Sequence, residues 1–126
     1  MSGRILTSDA CIAEGMAWLA LREPRFAEAQ ALTGPPPLRR SAGGFAALAG
    51  AILGQQVSVA SAAAMRARMA AAGLLTPAAV LATDEDALRA CGLSASKRRY
   101  VRALAGAAID YDRLADLTDE QVVQTL

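Results

Sequence analysis

The sequence contains no histidine, only two cysteines and few aromatic residues, which make up 4% of its 126 residues. Without histidine the chain lacks the commonest metal ligand and the commonest general base, which excludes Ser-His-Asp triads, Cys-His pairs and the usual zinc sites. Two cysteines cannot form a dense disulfide framework. Glycine-rich phosphate-binding motifs are also missing from the sequence. We therefore expect neither a bound metal nor a cofactor.

The sequence also has almost no net charge. Its 13 Lys+Arg residues are balanced by 12 Asp+Glu residues, which gives a formal net charge of +1. Attraction to a nucleic acid must then come from a local patch. Residues 41–65 carry no charge and could span a bilayer by length, but Gln55, Gln56, Ser58 and Ser61 interrupt them. The chain also does not begin with a secretory leader pattern. The sequence predicts a cytoplasmic protein with no membrane contact.

What the sequence does have is 54% hydrophobic residues, rich in alanine, arranged at helical rather than strand spacing. The predicted fold is all-α, an array of short helices in a single domain over residues 1–126. Helices are expected over residues 8–22, 24–32, 43–54, 58–73, 76–82, 83–92, 94–109 and from 118 onward. Trp18 and Phe26 are expected as core anchors, and Cys11 and Cys91 as buried free thiols.

Helix capping residues mark several predicted helix starts. Ser58 is suited to cap the helix that follows it, and either Ser94 or Ser96 can cap the helix over residues 94–109. The segment from Thr83 to Asp86 resembles a capping box with Asp in place of the usual Glu, and Thr118 begins a complete one.

The polar residues Gln55 and Gln56 stand between two apolar helices and require an explanation. One interpretation is local: the amides satisfy carbonyl groups at a helix end while Ser58 caps the next helix. The other is functional, since a turn between helices can present amide groups that enter a base stack or contact a base edge. The residues themselves leave both interpretations open.

The densest basic cluster leaves a similar choice. It could be an ordinary solvated helix face or a patch that contacts phosphates, which needs several cations at close spacing. It consists of Arg89, Lys97, Arg98, Arg99 and Arg102. The carboxylates lie near helix starts, where capping explains most of them, and no acid–base pair is recognisable.

The run from Phe45 to Ala60, FAALAGAILGQQVSVA, resembles the helix-hairpin-helix DNA glycosylases of the HhH-GPD superfamily, in particular the DNA-3-methyladenine glycosylase II branch. Further features agree in order along the chain. They are Leu38-Arg39, Thr76-Pro77, and Cys91-Gly92-Leu93-Ser94 ahead of Lys97-Arg98.

The resemblance implies base-excision repair: hydrolysis of the N-glycosidic bond of alkylated bases, such as 3-methyladenine, after they flip out of double-stranded DNA. By position, Gln56 matches the residue that wedges into the duplex, with Gln55 beside it and Ser58 in the same DNA-binding segment. Lys97 and Arg98 are carried over more weakly, as phosphate contacts. The resemblance implies no cofactor.

The resemblance also implies parts that these residues do not match. The family's hairpin and its catalytic Asp would follow the helix that begins at Thr118, so the expected Asp lies beyond Leu126 and no catalytic residue is assigned. We therefore expect an incomplete helical domain, the N-terminal part of a glycosylase, that is inactive alone. A C-terminal half, or self-association through exposed apolar surface, would complete it.

Two other functions remain open from the sequence. The chain could be a non-catalytic helical module that binds DNA or a protein partner. A helix-turn-helix regulator is less well supported, because Ala62, Ala63 and Ala64 stand where base-reading side chains would be needed.

Overall fold

A computed structural model describes residues 4–126, and within that range all regular structure is helical, which confirms the predicted all-α class. Eight α-helices and one 3-10 helix are found there. The α-helices are α1 (Asp9–Arg22), α2 (Arg25–Thr33), α3 (Phe45–Gly54), α4 (Val59–Ala71), α5 (Pro77–Ala82), α6 (Glu85–Ala90), α7 (Ala95–Gly106) and α8 (Asp119–Thr125). The 3-10 helix spans Asp112–Asp116. In residues 4–126, no helix combines the length and apolar character that crossing a membrane requires.

The chain divides into two compact units, Met1–Ser41 and Ala42–Leu126. In the first unit α1 packs against α2. Two short helices cannot enclose large side chains, so the expectation that Trp18 and Phe26 are core anchors is wrong: they are 53% and 41% exposed. The guanidinium of Arg22 lies 3.5 Å from the centre of the Trp18 ring, in a cation–π contact.

Both cysteines are buried and free, as predicted. Cys11 lies in the first turn of α1, with its sulfur 3.4 Å from the Ser8 hydroxyl and 3.4 Å from a nitrogen of Arg4. The hydrogen bond with Ser8 is the main reason that the pKa of the Cys11 thiol is lowered to about 6. The thiol of this first unit is therefore more acidic than that of an unperturbed cysteine.

The second unit has the larger core, in which α3 packs against α4 and α7, and α7 also contacts α5 and α6. Each of these five helices contributes one of the largest fully buried side chains. They are Leu53, Met69, Val80, Leu88 and Val101. Because α7 contacts three other helices, α3, α5 and α6, it organises this core.

Side-chain caps begin five helices, and each cap accepts a hydrogen bond from a backbone N–H three residues later. The caps are Ser58, Thr76, Asp84, Ser94 and Thr118. The predictions for Ser58 and the Thr118 capping box are confirmed, and of the two candidates Ser94 and Ser96 it is Ser94 that caps α7. The predicted box that begins at Thr83 is wrong, because Asp84 is the cap and accepts from the Ala87 N–H at 2.8 Å. A carboxylate one residue later serves the same free amide groups.

An ion-pair cluster joins α7 to α5 and α6. Glu85 accepts from Arg98 Nε at 2.7 Å and from Arg102 Nε at 2.8 Å. Arg102 also donates to the carbonyls of Val80 and Thr83, at 3.1 and 2.7 Å. Hydrogen bonds from Arg98 and then Arg102 lower the pKa of the Glu85 carboxyl. These contacts hold the shorter helices against α7.

We predict that Glu85→Gln weakens the acid dependence of the second unit's stability. The folded-state pKa of Glu85 lies below its unfolded value, so its stabilising effect is present above the unfolded pKa and is lost as pH falls through the folded pKa. Wild-type unfolding free energy should therefore fall as pH is lowered below about 4.3, and the Gln variant should show a shallower fall. Urea unfolding at several pH values measures this, with Asp116→Asn on the exposed 3-10 helix as the control.

Candidate nucleic-acid interface

The turn between α3 and α4 presents the two glutamines predicted to contact DNA. Gln55 ends α3, with its backbone N–H donating to the Ile52 carbonyl at 3.2 Å, and Ser58 caps α4 by accepting from the Ser61 N–H at 3.1 Å. Both glutamines are exposed. The local interpretation accounts for Ser58. The two amide side chains are exposed, although they directly follow an apolar helix whose Leu53 is completely buried.

Gln56 has a left-handed backbone conformation, with φ of +56°. Side chains other than glycine rarely adopt it, because Cβ approaches the following carbonyl, at a cost of roughly 1–2 kcal/mol. Such strain persists only where the surrounding structure imposes it, and it is concentrated at functional sites. Among residues 4–126 two non-glycine residues have this conformation, Gln56 and Ala108, and Gln56 is the one at the wedge position.

A cleft of about 550 Å³ opens beside this turn. The structure brings the turn and one face of α4, which follow each other in sequence, together with a distant segment, residues 92–97, that leads into the start of α7. The lining residues are Gln55, Gln56, Val57, Ser61, Ala64, Met65, Arg68, Gly92, Ser94 and Lys97. Among them are two cations, four hydroxyl or amide side chains, and no carboxylate.

The two cations of the cleft are held by backbone carbonyl groups. Lys97 is only 9% exposed, and its Nζ donates to the Leu53 carbonyl at 2.6 Å. Arg68 Nε donates to the Cys91 carbonyl at 2.8 Å. Sequence reasoning missed Arg68, although an arginine in an alanine-rich helix was a signal that it had a specific partner.

The remaining members of the basic cluster lie outside this lining. Arg98 and Arg102 are paired with Glu85, and Arg89 is paired with Asp86 at 2.7 Å. Arg99 lies over the ring of Tyr100, 5.1 Å from its centre. Phosphate contacts by Lys97 and Arg98 stay a prediction.

The chemistry available in the cleft is that of hydrogen bonding and positive charge. In the part of the chain that the structure describes, no three His, Cys, Asp or Glu side chains are grouped so that they could hold a metal ion. With amides at its rim and cations inside, the cleft can receive an anionic or hydrogen-bonding ligand, but it contains no side chain suited to act as a general base at neutral pH.

We predict opposite effects of glycine at the two glutamines. Gln56→Gly should raise the free energy of unfolding by up to about 1 kcal/mol, because glycine relieves the left-handed strain, offset in part by its greater unfolded-state entropy. The matched control Gln55→Gly, at φ of −65°, should lower it by about 0.5–1 kcal/mol. Urea unfolding measures both. Equal losses in the two variants would contradict the strain at Gln56.

Comparison with known protein families identifies the family of this part of the chain. The family model described as HhH-GPD superfamily base excision DNA repair protein matches residues 49–126, which include the last part of α3, the glutamine turn and every residue of the cleft. Comparison with curated proteins gives no significant match. Because the match covers more than half of the sequence, the chain belongs to the HhH-GPD superfamily of base-excision DNA repair proteins, the family of the DNA glycosylases.

Proposed function

We propose that this chain is the duplex-probing part of a DNA glycosylase of the 3-methyladenine glycosylase II type, which acts on alkylated bases in double-stranded DNA. The observation that carries the proposal is the turn from α3 to α4: two exposed glutamines, the second in a left-handed conformation, within the matched region. The branch rests on the run from Ile52 to Ser58, Ile-Leu-Gly-Gln-Gln-Val-Ser.

Gln56 would act as the wedge. A glycosylase must take its target base out of the stack, at a cost of a few kcal/mol, which is smallest for a damaged base. An inserted side chain that fills the gap offsets part of this cost, and an amide can also hydrogen-bond to the base left behind. α3 can support such insertion, since its Leu53 and Ala49 are completely buried in the core.

Contact with the DNA backbone would come from local cations, because a net charge of +1 provides little general attraction. Lys97 and Arg98 are the two phosphate contacts that the resemblance implies. Both are already bound to carbonyl or carboxylate groups, so phosphate contact would have to add to those bonds or replace them.

Catalysis would need a carboxylate that the cleft does not contain. Members of this family are DNA glycosylases. The resemblance implies a catalytic Asp whose role is to stabilise positive charge on the sugar. No Asp or Glu lines the cleft. We propose that base removal requires the Asp that the resemblance implies, supplied with the family's hairpin.

We predict that Gln56→Ala weakens binding to a duplex that contains an abasic site, where the wedge has a gap to fill. Loss of an amide hydrogen bond costs about 0.5–1.5 kcal/mol, so we expect a loss of up to about tenfold in affinity. Binding to the intact duplex should hardly change. Fluorescence anisotropy measures both affinities at a fixed salt concentration.

Gln124→Ala is the matched control, because Gln124 is an exposed amide on α8, outside the turn and the cleft. It should leave both affinities unchanged. If Gln56→Ala weakened binding to both duplexes equally, or not at all, the wedge role would be wrong.

We predict that the 126-residue chain releases no base from methylated DNA. A chimera that joins it to the hairpin and Asp segment of an alkylbase glycosylase should release 3-methyladenine and should not release 8-oxoguanine. Chromatography of the free bases measures this, after circular dichroism has shown that the chimera is folded. A folded chimera that binds methylated DNA without releasing a base would favour a non-catalytic binding module.

A further inference from the structure

We propose that Lys97 is a positioning residue: its buried ammonium group holds the C-terminal end of α3 and so maintains the conformation in which Gln56 is presented. The expected effect of Lys97 on DNA binding rests on the proposed function. The structural part of the inference, the bond between Lys97 and the Leu53 carbonyl, stands independently of that function.

The first step is the burial of a charge without a counter-charge. Lys97 is 9% exposed, and burying an ammonium group is costly unless it gains strong hydrogen bonds. Among residues 4–126, no carboxylate lies within ion-pair distance of its Nζ. Its partner is instead the Leu53 carbonyl, 2.6 Å away. The neighbouring Arg98, by contrast, has a carboxylate partner in Glu85.

The second step is the location of that carbonyl. The last carbonyl groups of a helix have no partners within the helix and carry the negative end of its dipole. The Gln55 N–H donates to the Ile52 carbonyl, three residues back, so α3 ends in a tightened turn. The next carbonyl, that of Leu53, accepts from Lys97 instead. A cation placed there stabilises both the dipole and the free carbonyl.

The third step is the effect on the turn. Only Gly54 and Gln55 separate Leu53 from Gln56, whose left-handed conformation needs an external constraint. Lys97 fixes the α3 side of this short segment from α7, 44 positions along the chain. The Ser58 cap fixes the α4 side.

Arg68 supports the same arrangement from the other wall of the cleft. It joins α4 to the turn after α6 through the Cys91 carbonyl, at 2.8 Å. Gly92 makes room for it: at φ of +90°, an added Cβ would lie 2.6 Å from Arg68 Nη2. Both cations of the cleft therefore join helices to backbone carbonyls, which favours a bracing role for Lys97 over a contact made chiefly with phosphate.

The test is Lys97→Met in the 126-residue chain, with two measurements. Amide hydrogen exchange by NMR reports on the turn without DNA, and we expect faster exchange at Gln55, whose N–H closes the end of α3. The ratio of affinities for abasic and intact duplexes reports on the wedge, and we expect it to fall by about tenfold. The dependence of affinity on salt should keep its slope, whereas loss of a direct phosphate contact would reduce it by about 1.

Two further variants separate positioning from general stability. Val101→Ala removes fully buried side-chain atoms one turn further along α7, and it should lower global stability while leaving exchange at Gln55 and the affinity ratio close to wild type. Lys97→Arg keeps the charge and a donor, so it should retain most of the ratio. It also remains informative if the Met variant does not fold.

Three results would overturn the inference. They are unchanged exchange at Gln55 in Lys97→Met, an equal change in Val101→Ala, and a salt slope reduced by about 1 with the turn still protected. If wild type itself does not prefer the abasic duplex, the proposed function fails. The exchange measurement then still decides whether Lys97 holds the turn.

Discussion

The arrangement of the second unit depends on Leu53, the penultimate residue of α3. Its side chain is completely buried in the core, and its carbonyl accepts from the buried ammonium of Lys97. Apolar packing and a charged hydrogen bond thus act on one residue, immediately before the glutamine turn. Because packing alone is non-directional, the hydrogen bond is what gives the end of α3 a defined orientation.

Positive charge in this unit serves mainly to join helices. Glu85 and several backbone carbonyls bind Arg98 and Arg102, and carbonyls bind Arg68 and Lys97. A short helix such as α5 or α6 is marginal by itself, so these tertiary contacts are needed to keep it in place. A cluster that the sequence suggests as a phosphate-binding patch is, in the fold, largely committed to internal contacts.

Local patterns predicted much of the secondary structure. Apolar spacing predicted the helices, and Ser58 and Thr118 were recognised as caps, with Ser94 as one of two candidates, because capping depends on residues only three positions apart. The error at Thr83 was of one residue, where two adjacent side chains could each serve as the cap. Trp18 and Phe26 were misplaced because burial depends on what surrounds a side chain, and residue type alone does not decide it.

The sequence by itself determined that two amides stand at a turn between apolar helices, since their neighbours set the helix ends and the Ser58 cap. Only the tertiary structure decided that Gln56 is left-handed, that Arg68 lines the same cleft as the turn, and that Lys97 is buried against Leu53. The physical reason is distance along the chain. Helix periodicity and capping act within a few residues, whereas the contact between Lys97 and Leu53 spans 44 positions and exists only after the helices have packed.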